Sequence, residues 1–466
     1  MGMVKEIRIK DIIRECNAKL ICGNKDDIIN NFSKNTRELE EGDIYIGIKG
    51  DKFNGNLFWK EALDKGAKAV IAENIVITDE EKNKYVDKNI LIVENSILAL
   101  KQIAKYKRSL YDIPVIGVTG SVGKTSTKDI IASILKEKYS VLKTEGNYNN
   151  EIGVPLTILK LKDHDAMVIE MGMNHLGEIA YLSEIVKPTI AVITNIGTAH
   201  IGNLGSRENI LKAKLEILEY LQENGSAIIN NDNDLLNKWN KEDYKYQKYT
   251  YGIENKSDIM AENIKLNEES STFDIIHDGK RENAHIPIGG THFILNSLCG
   301  IAVGKKLGMD MQDILEGIKK IEITKNRMQI IKTKNNVKII NDSYNASYDS
   351  MKVSIESLAR SKGKTKIAVL GDMLELGDFS KDIHEKIGEI VYKNKIDLLI
   401  TVGQLSKEIA RKAIELGFNQ ENVYIFTNNK DAIDILRKII KAEDVVLIKA
   451  SQAMKFNQIV EQILLS

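Results

Sequence analysis

A glycine-rich segment with the letters VIGVTGSVGKT, at residues 115–125, contains the residue types that bind a polyphosphate. Gly120 and Gly123 allow the backbone to curl so that consecutive N–H groups point towards one anion. Lys124 adds a full positive charge, and the hydroxyl of Thr125 is a ligand for Mg²⁺ in such loops. We therefore predict that this segment binds a nucleoside triphosphate.

The elements on either side of this segment place its glycines at a turn from strand to helix. Residues 113–118 form an apolar run typical of a buried parallel strand, and residues 125–135 have the periodicity of a helix, whose N-terminus favours phosphate. The strict P-loop pattern has glycine at position 118, where this chain has Val118, so the segment is a variant. A glycine-rich turn with an incidental Lys-Thr pair is the alternative, which the flanking strand and helix disfavour.

Two further candidates follow apolar strands of the same region. Glu170 ends the run AMVIE, and His200 comes six residues after the run IAVIT. Ligands of parallel α/β sheets bind at the carboxyl ends of strands, and Mg²⁺ prefers oxygen ligands. We interpret Glu170 as a metal ligand rather than as a helix N-cap or a surface charge. His200 is either a ligand or a hydrogen-bonding core residue, and the sequence leaves both open.

Other charged and polar residues are ambiguous in the sequence. Lys212 and Lys214 lie on one predicted helix, where lysines commonly form a solvated face. Arg327 suits a phosphate, and Asp342 with Asn345 suits a nucleoside. All three are also ordinary turn residues.

Composition and charge limit the class of protein. The chain has 466 residues, which corresponds to about three domains. Lys plus Arg and Asp plus Glu number 66 each, so the zero net charge gives no general attraction to nucleic acid or to an anionic membrane. Three cysteines are too few for a disulfide framework or a zinc cluster, and no run of about 18 apolar residues occurs. We expect a cytoplasmic protein without membrane insertion.

The order of strands and helices predicts an α/β fold in three domains. These are a small N-terminal α/β domain at 1–110, a central P-loop domain with a mostly parallel sheet at 111–323, and a C-terminal Rossmann-like domain at 324–466. Residues 258–288 indicate an antiparallel addition to the central sheet. The last domain has no G-x-G-x-x-G turn after its first strand, so we do not expect a dinucleotide there. The predicted strands are 43–48, 69–71, 90–93, 113–118, 166–169, 189–194, 226–230, 337–341, 366–370, 398–402, 423–426 and 445–448.

Eight segments, spread over all three predicted domains, resemble those of the Mur ligases, ATP-dependent enzymes that join amino acids to the peptide of the bacterial cell-wall precursor. Within that family, the segments look most like those of the member that adds a dipeptide, and the last two segments are the discriminating ones. The Asp-Asn-Pro-Arg motif of the member that adds the third residue is absent from the sequence. The segments are TRELEEGDIYIGIKG at 36–50, TGSVGKTSTKD at 119–129, NNEIGVPLTIL at 149–159, EMGMNHLGEIA at 170–180, ITNIGTAHIGNLGS at 193–206, NRMQ at 326–329, DSYNASYDSM at 342–351 and GDMLELG at 371–377.

This resemblance implies a reaction and its partners. The first domain would bind a UDP-sugar, the second ATP with Mg²⁺, and the third would bring in the dipeptide and close over the site. The enzyme, which we expect to be a monomer, would join D-alanyl-D-alanine to UDP-MurNAc-tripeptide through an acyl phosphate in peptidoglycan precursor synthesis. A sister ligase that adds one amino acid, a folylpolyglutamate synthase-like ligase, a P-loop ATPase that drives a conformational switch, and an inactive binding module are the alternatives.

The resemblance also implies roles for individual residues. Lys214 matches the family lysine that CO₂ carbamylates, a change that turns a cation into an anion. The catalytic residues would be Lys124, Glu170, His200 and Lys214, and the metal ligands would be Thr125, Glu170, His200 and carbamylated Lys214. The ATP-binding residues would be Thr119, Gly120, Ser121, Val122, Gly123, Lys124, Thr125, Ser126, Asn296, Arg327, Asp342, Tyr344 and Asn345. The substrate-binding residues would be Thr36, Arg37, Lys49, Gly50, Asn149, Asn150 and Glu151.

The chain departs from the family pattern in three places. Asn54 and Asn56 stand where the family commonly has Asp and His, which changes the expected contacts to the UDP-sugar. Ser347 and Tyr348 replace the common Asn-Pro pair, and Gln452 stands where the family carries arginine. We therefore expect altered recognition of the dipeptide or its carboxylate.

Overall fold

The structure of the protein is a computed structural model, which describes residues 5–29, 31–50, 53–322 and 324–465. Three α/β regions follow one another along the chain, each built around its own main sheet, as the sequence predicts. The domain boundaries after residues 110 and 323 stay predictions, and Ile323 itself lies outside the described residues.

The first region has a five-stranded sheet. Its elements are β1 (Ile7–Arg8), α1 (Ile9–Cys16), β2 (Lys19–Cys22), β3 (Ile28–Ile29), β4 (Phe32–Ser33), β5 (Ile44–Ile46), α2 (Trp59–Asp64), β6 (Ala69–Ala72), α3 (Asp79–Lys84), β7 (Asn89–Ile92) and α4 (Ser96–Ser109). The order in the sheet is β2-β7-β6-β5-β4, with β4 to β7 parallel and β2 antiparallel to β7. The sequence predicted β5, β6 and β7 but not β1 to β4. Strands β1, β3 and β4 have two residues each and carry no periodicity, and β2 is a four-residue strand at the edge of the sheet.

The second region has a nine-stranded sheet. Its elements are β8 (Val115–Thr119), α5 (Lys124–Leu135), β9 (Val141–Lys143), α6 (Gly153–Leu159), β10 (Ala166–Glu170), α7 (Glu178–Val186), β11 (Ile190–Ile193), α8 (Ile201–Leu204), α9 (Arg207–Leu215), β12 (Ser226–Asn230), α10 (Asp234–Asn240), β13 (Gln247–Gly252), β14 (Ile259–Leu266), β15 (Ser271–His277), β16 (Lys280–Ile286), α11 (Thr291–Lys306) and α12 (Met311–Lys319). The order is β16-β15-β14-β13-β12-β11-β8-β10-β9. Strands β8 to β14 run parallel, and β14, β15 and β16 form the antiparallel addition that the sequence predicted.

The third region has a six-stranded sheet. Its elements are β17 (Gln329–Lys332), β18 (Lys338–Asn341), α13 (Tyr348–Arg360), β19 (Lys366–Gly371), α14 (Ser380–Lys393), β20 (Leu398–Val402), α15 (Lys407–Glu415), β21 (Val423–Phe426), α16 (Asn429–Ile439), β22 (Val445–Lys449) and α17 (Asn457–Leu464). The order is β17-β18-β22-β19-β20-β21, parallel except for the edge strand β17, which the sequence analysis missed.

Strand β10 shows how the central sheet positions chemistry. Both faces of the strand are buried, which explains its unbroken apolar sequence. Met167 and Ile169 pack in one core cluster with residues of α7, whereas Ala166 and Val168 pack in another with residues of α5 and α11. Because side chains alternate along a strand, Glu170 lies on the α5 side, where the helix after the P-loop begins.

Candidate nucleotide and substrate site

The P-loop has the conformation that its glycines permit. Gly120 has φ +149° and Gly123 has φ +80°, both in the region that favours glycine. A Cβ at Gly120 would lie 1.9 Å from Oγ1 of Thr194, so even alanine would collide with the end of β11. Both glycines therefore supply a backbone conformation that side chains disfavour, and close packing at Gly120 also excludes a Cβ.

The end of β11 clamps the loop from the adjacent strand. The backbone N–H of Val122 donates to Oδ1 of Asn195 at 2.9 Å. The carbonyl of Val122 accepts from Nδ2 of Asn195 at 3.1 Å and from Oγ1 of Thr194 at 2.7 Å. Sequence analysis did not single out Thr194 or Asn195. Their position directly after a buried strand is the signal that could have found them.

Glu170 lies beside the first turn of α5, as its position in β10 requires. Thr125 donates its hydroxyl to Oε2 of Glu170 at 2.9 Å, and Nδ2 of Asn149 donates to Oε1 at 2.8 Å. The carboxylate residue is only 2% exposed. The structure thus brings the expected metal ligands Thr125 and Glu170 into direct contact, together with a residue expected to bind substrate.

Lys124 bends back over the loop. Its Nζ donates to the carbonyl oxygens of Gly120 at 2.9 Å and Ser121 at 3.4 Å. Burial lowers the pKa of Lys124, and the nearby carboxylate of Glu170 opposes that shift. The ammonium group is therefore held near the loop by weak acceptors, which an incoming phosphate can replace.

His200 lines the same cavity as Lys124 and Glu170. It has φ +64°, an unusual value for a residue with a side chain, and precedes α8. Its Nδ1 lies 2.6 Å from Oε2 of Glu375, which belongs to the third region. The contact with His200 lowers the pKa of Glu375. Of the described residues, no group of three or more His, Cys, Asp or Glu side chains is gathered as a metal site; the expected ligand set contains only two such residues.

Lys214 is buried, whereas Lys212 on the same helix is exposed. The expectation of a solvated face is thus right for Lys212 and wrong for Lys214, which is 1% exposed. Burial lowers the pKa of Lys214 well below its usual value, and the positive charge of Lys124 lowers it further. Within the described chain, Lys214 has no hydrogen bond and no ion pair. It does not line the cavity itself.

The third region contributes an arginine stacked on an aromatic ring. The guanidinium carbon of Arg327 lies 3.9 Å from the ring centre of Tyr344. Its Nε is buried and has no hydrogen-bond partner among the described residues. Both residues line the cavity, with Asn345 and Asn296.

Asp342 is more than a turn residue, because it forms a buried ion pair. Nζ of Lys449 donates to Oδ2 of Asp342 at 2.5 Å and to the carbonyl of Asn345 at 3.0 Å. Ser354 also donates to Oδ2, at 2.7 Å, and the N–H of Met328 donates to Oδ1 at 3.1 Å. Sequence analysis missed Lys449, although it ends β22 as Glu170 ends β10.

The cavity has a volume of about 1080 Å³ and is shared by all three regions. The first region contributes Ile97 of α4 to the cavity lining. Asn149, Asn150 and Glu151 of the second region also line the cavity. From the expected ATP-binding set, Thr119 and Gly120 do not line it. Thr119 is instead buried and donates its hydroxyl to the carbonyl of Met171 at 3.0 Å. The residues that line the cavity and were expected at the ATP, metal or substrate site are Ser121, Val122, Gly123, Lys124, Thr125, Ser126, Asn149, Asn150, Glu151, Glu170, His200, Asn296, Arg327, Asp342, Tyr344 and Asn345.

His292 also lines this cavity and was missed by the sequence analysis. Burial lowers its pKa to about 4, so its imidazole is neutral at pH 7. Its Nε2 is buried without a hydrogen-bond partner in the described chain. A lone histidine in an apolar helix gives no sequence signal that separates this position from an ordinary core histidine.

The residues expected near a UDP-sugar lie elsewhere, on the first sheet. Thr36, after β4, donates its hydroxyl to Glu61 at 2.8 Å, and Lys49, after β5, forms an isolated antiparallel bridge with Asn54. Since β4 and β5 are parallel, the loops after them share one edge of the sheet. Thr36, Arg37, Lys49 and Gly50 do not line the shared cavity.

Asn56, one of the departures from the family pattern, is structural in this chain. It is 2% exposed, and its Oδ1 accepts the N–H of Glu73 at 2.9 Å. Its Nδ2 donates to Oδ1 of Asn54 at 3.0 Å. The two asparagines therefore brace the loop after β5.

No helix in the described parts of the chain is both long enough and apolar enough to span a bilayer. The three cysteines, all described, are free thiols.

Family models match the chain in three consecutive pieces. The model named "Mur ligase family, catalytic domain" matches residues 29–108, the "Mur ligase middle domain" matches 118–304, and the "Mur ligase, glutamate ligase domain" matches 326–452. Together they cover the P-loop, Glu170, Lys214 and the ion pair of the third region.

Similar proteins and structures span almost the whole chain. The UDP-N-acetylmuramoyl-tripeptide–D-alanyl-D-alanine ligase of Bacillus subtilis (strain 168) is 38% identical over 439 residues, which are 94% of this chain and 93% of the relative. The crystal structure of MurF from Acinetobacter baumannii has a TM-score of 0.88 at 28% identity and covers 100% of both chains. The structure of MurF ligase from Thermotoga maritima in complex with ADP has a TM-score of 0.79 at 31% identity and covers 93% of this chain and 96% of that one.

Proposed function

The chain belongs to the Mur ligase family, and we propose that it is an ATP-dependent ligase that joins D-alanyl-D-alanine to UDP-MurNAc-tripeptide. Relatives of that name, one of them 38% identical over 94% of this chain, support this member of the family. The observation that carries the proposal is the shared cavity. Residues of the P-loop, Glu170 and the stacked Arg327 line it, together with residues of all three regions. The product would be UDP-MurNAc-pentapeptide, a precursor of peptidoglycan.

The reaction makes an amide from a carboxylate and an amine, for which ATP must activate the carboxylate. The terminal carboxylate oxygen of the tripeptide attacks the γ-phosphorus of ATP, and ADP leaves, which gives an acyl phosphate. The free amine of D-alanyl-D-alanine then attacks the acyl carbon. The tetrahedral intermediate loses phosphate and a proton, and the amide remains.

The P-loop would bind and orient the triphosphate. The first backbone N–H groups of α5 would donate to phosphate oxygens, and Lys124 lies close enough to exchange its carbonyl acceptors for them. Positive charge fixed beforehand at the transferring group stabilises the transition state more than the ground state. Arg327, whose Nε has no partner among the described residues, would add a second fixed cation at the phosphates.

The donors at the base of the cavity fit Mg²⁺. Thr125 and Glu170 offer hard oxygen ligands that already touch each other, and His200 lines the same space. When bound, Mg²⁺ would supply positive charge to the phosphate oxygens. The chain's own contribution is to fix Glu170 through Thr125 and Asn149, so that the carboxylate does not need to reorganise.

Lys214 would act as a carbamate. Carbamate formation requires a neutral amine, and both burial and Lys124 favour that form at position 214. The modification would place a negative charge beside Lys124, where the unmodified chain has an unpaired basic group. It would thereby relieve the repulsion between the two lysines and provide another anionic ligand for a divalent cation.

The remaining assignments follow from the same family membership. Thr36, Arg37, Lys49 and Gly50 would bind the uridine diphosphate end, and Asn149, Asn150 and Glu151 the peptide end of the substrate. The zero net charge of the chain supports small-molecule partners rather than nucleic acid. We assign the enzyme to the cytoplasm, without membrane insertion, as a monomer. Its three free thiols are consistent with a reducing compartment.

The decisive experiment measures phosphate release with ATP and UDP-MurNAc-tripeptide, with and without D-alanyl-D-alanine, and follows the product by mass spectrometry. Phosphate release that depends on the dipeptide, with a pentapeptide of the expected mass, supports the proposal. Addition of a single amino acid to a shorter precursor would indicate a sister ligase. ATP hydrolysis that is indifferent to both substrates would indicate a P-loop ATPase instead.

A further inference from the structure

A tight backbone contact joins the third region to the second. The N–H of Gly202, in α8, donates to the carbonyl of Glu375 at 3.2 Å. A Cβ at Gly202 would lie 2.6 Å from the backbone nitrogen of Gly377, so the approach requires glycine at this position. Main-chain contacts alone therefore hold the segment around Glu375 against α8.

Both residues of the histidine–carboxylate pair at this contact have left-handed backbone conformations. His200 and Glu375 each have φ +64°. Such values are costly for residues with a Cβ and persist where surrounding contacts determine them, most often at functional sites. Here the two strained residues face each other across the junction of two regions.

The imidazole of His200 presents its two nitrogens to different surroundings. Nδ1 is buried and has no well-aligned hydrogen bond in the described chain, but Oε2 of Glu375 lies 2.6 Å from it. A small rotation of the ring would align an Nδ1–H with this oxygen. Nε2 has no bonding partner among the described residues, and the side chain lines the cavity that contains Thr125 and Glu170.

We propose that Glu375 is a positioning residue for His200: its carboxylate holds the imidazole with hydrogen on Nδ1, which leaves Nε2 free to bind a divalent cation at the nucleotide. The inference rests on the proposed function and adds to it a link between regions, because the carboxylate comes from the third region and the imidazole from the second. Docking of the third region against α8 would thereby orient a cation ligand. Histidine ligands are commonly fixed in this way by a carboxylate on the other ring nitrogen.

The test compares Glu375→Gln with Glu415→Gln in the full chain. Glutamine keeps the shape of the side chain but removes the charge that favours hydrogen on Nδ1. Glu415, the last residue of α15, is a matched control, because it is exposed, pairs with Lys412 at 3.3 Å and lies away from the cavity. Mn²⁺ binding in the presence of ADP is measured by electron paramagnetic resonance, ADP binding is measured separately in EDTA, and ¹⁵N NMR of the metal-free protein reports the tautomer of His200.

We expect Glu375→Gln to weaken Mn²⁺ binding by about 10- to 100-fold, the usual effect of removing a carboxylate behind a histidine ligand. ADP binding in EDTA should be unchanged, the NMR signals should show loss of the Nδ1–H form, and Glu415→Gln should match the wild type. Unchanged Mn²⁺ affinity in Glu375→Gln, an unchanged tautomer, or an equal loss of ADP affinity in EDTA overturns the positioning role while the proposed function stands. Failure of the wild type to bind Mn²⁺ with ADP overturns the proposed function, and the positioning role with it.

Discussion

Replacing Lys214 with methionine should remove most of the ligase activity without destabilising the fold. Lys214 is 1% exposed and has no hydrogen bond or ion pair within the described chain. Methionine is similar to the apolar stem of lysine and adapts to irregular core space, so packing is preserved. The change therefore separates the chemistry of the amine from the packing of the side chain.

The stability of Lys214→Met relative to the wild type should depend on pH. The pKa of Lys214 in the folded chain lies well below its usual value, mainly because of burial. The unfolded chain then binds more protons at this site, so in CO₂-free buffer the wild-type free energy of unfolding rises with pH until the ordinary lysine pKa of about 10.4 is passed. Lys214→Met lacks this dependence, and its stability relative to the wild type should improve as the pH falls.

The activity loss follows from the carbamate. An ordinary lysine has roughly one neutral amine in 2,500 at pH 7, and each unit of pKa lowering raises that fraction about tenfold. Burial therefore makes Lys214 far more reactive towards CO₂ than an exposed lysine. Loss of one preorganised charged group at a reaction centre commonly costs about 10²- to 10³-fold in turnover, which we expect for Lys214→Met.

The assay combines phosphate release and pentapeptide formation with ¹³C NMR of protein equilibrated with ¹³CO₂. Lys212→Met is the matched control, since Lys212 is exposed on the same helix two residues earlier. The wild type and Lys212→Met should show the carbamate signal and full turnover, and bicarbonate should not rescue Lys214→Met. Wild-type turnover in Lys214→Met, or the same carbamate signal in that variant, would refute the reasoning.

Three further changes test the site. Lys124→Ala should abolish turnover and leave the circular dichroism spectrum nearly unchanged; ADP formation at the wild-type rate would rule out its role at the phosphates. Gly120→Ala should sharply weaken ATP binding in calorimetry, because its Cβ would lie 1.9 Å from Oγ1 of Thr194, and unaltered affinity would contradict the packing argument. Lys449→Met leaves the carboxylate of Asp342 buried without its cation, so chemical denaturation should show a loss of about 3–5 kcal/mol. Asp342→Asn added to Lys449→Met should recover part of that loss, and a double variant no more stable than the single one would count against the ion pair as the cause.

Local patterns in the sequence carried the prediction of most of the fold. Apolar runs such as 166–170, alternating with helical segments, indicate parallel strands buried on both faces, and β10 has that environment. The two-residue strands β1, β3 and β4, the outer strands β2, β9 and β17 and the interior strand β13 were not predicted. The short and outer strands depend on a neighbouring strand rather than on their own periodicity, and β13, with the letters QKYTYG, has no apolar run. The parallel sheets could be predicted because their buried strands have apolar runs of their own, which the short edge strands lack.

A P-loop is a local motif, so the sequence alone identifies the proposed phosphate-binding loop: Gly120, Gly123, Lys124 and Thr125 are consecutive or nearly so, and their backbone conformation follows from the turn they form. Glu170 was also accessible, because strand alternation fixes its side. The folded arrangement was needed to see that Lys214 is buried while Lys212 is exposed, and that Lys449 pairs with Asp342 and Glu375 with His200. Burial and charge pairing depend on which elements pack together, and no spacing along the chain encodes a contact between residues more than a hundred positions apart.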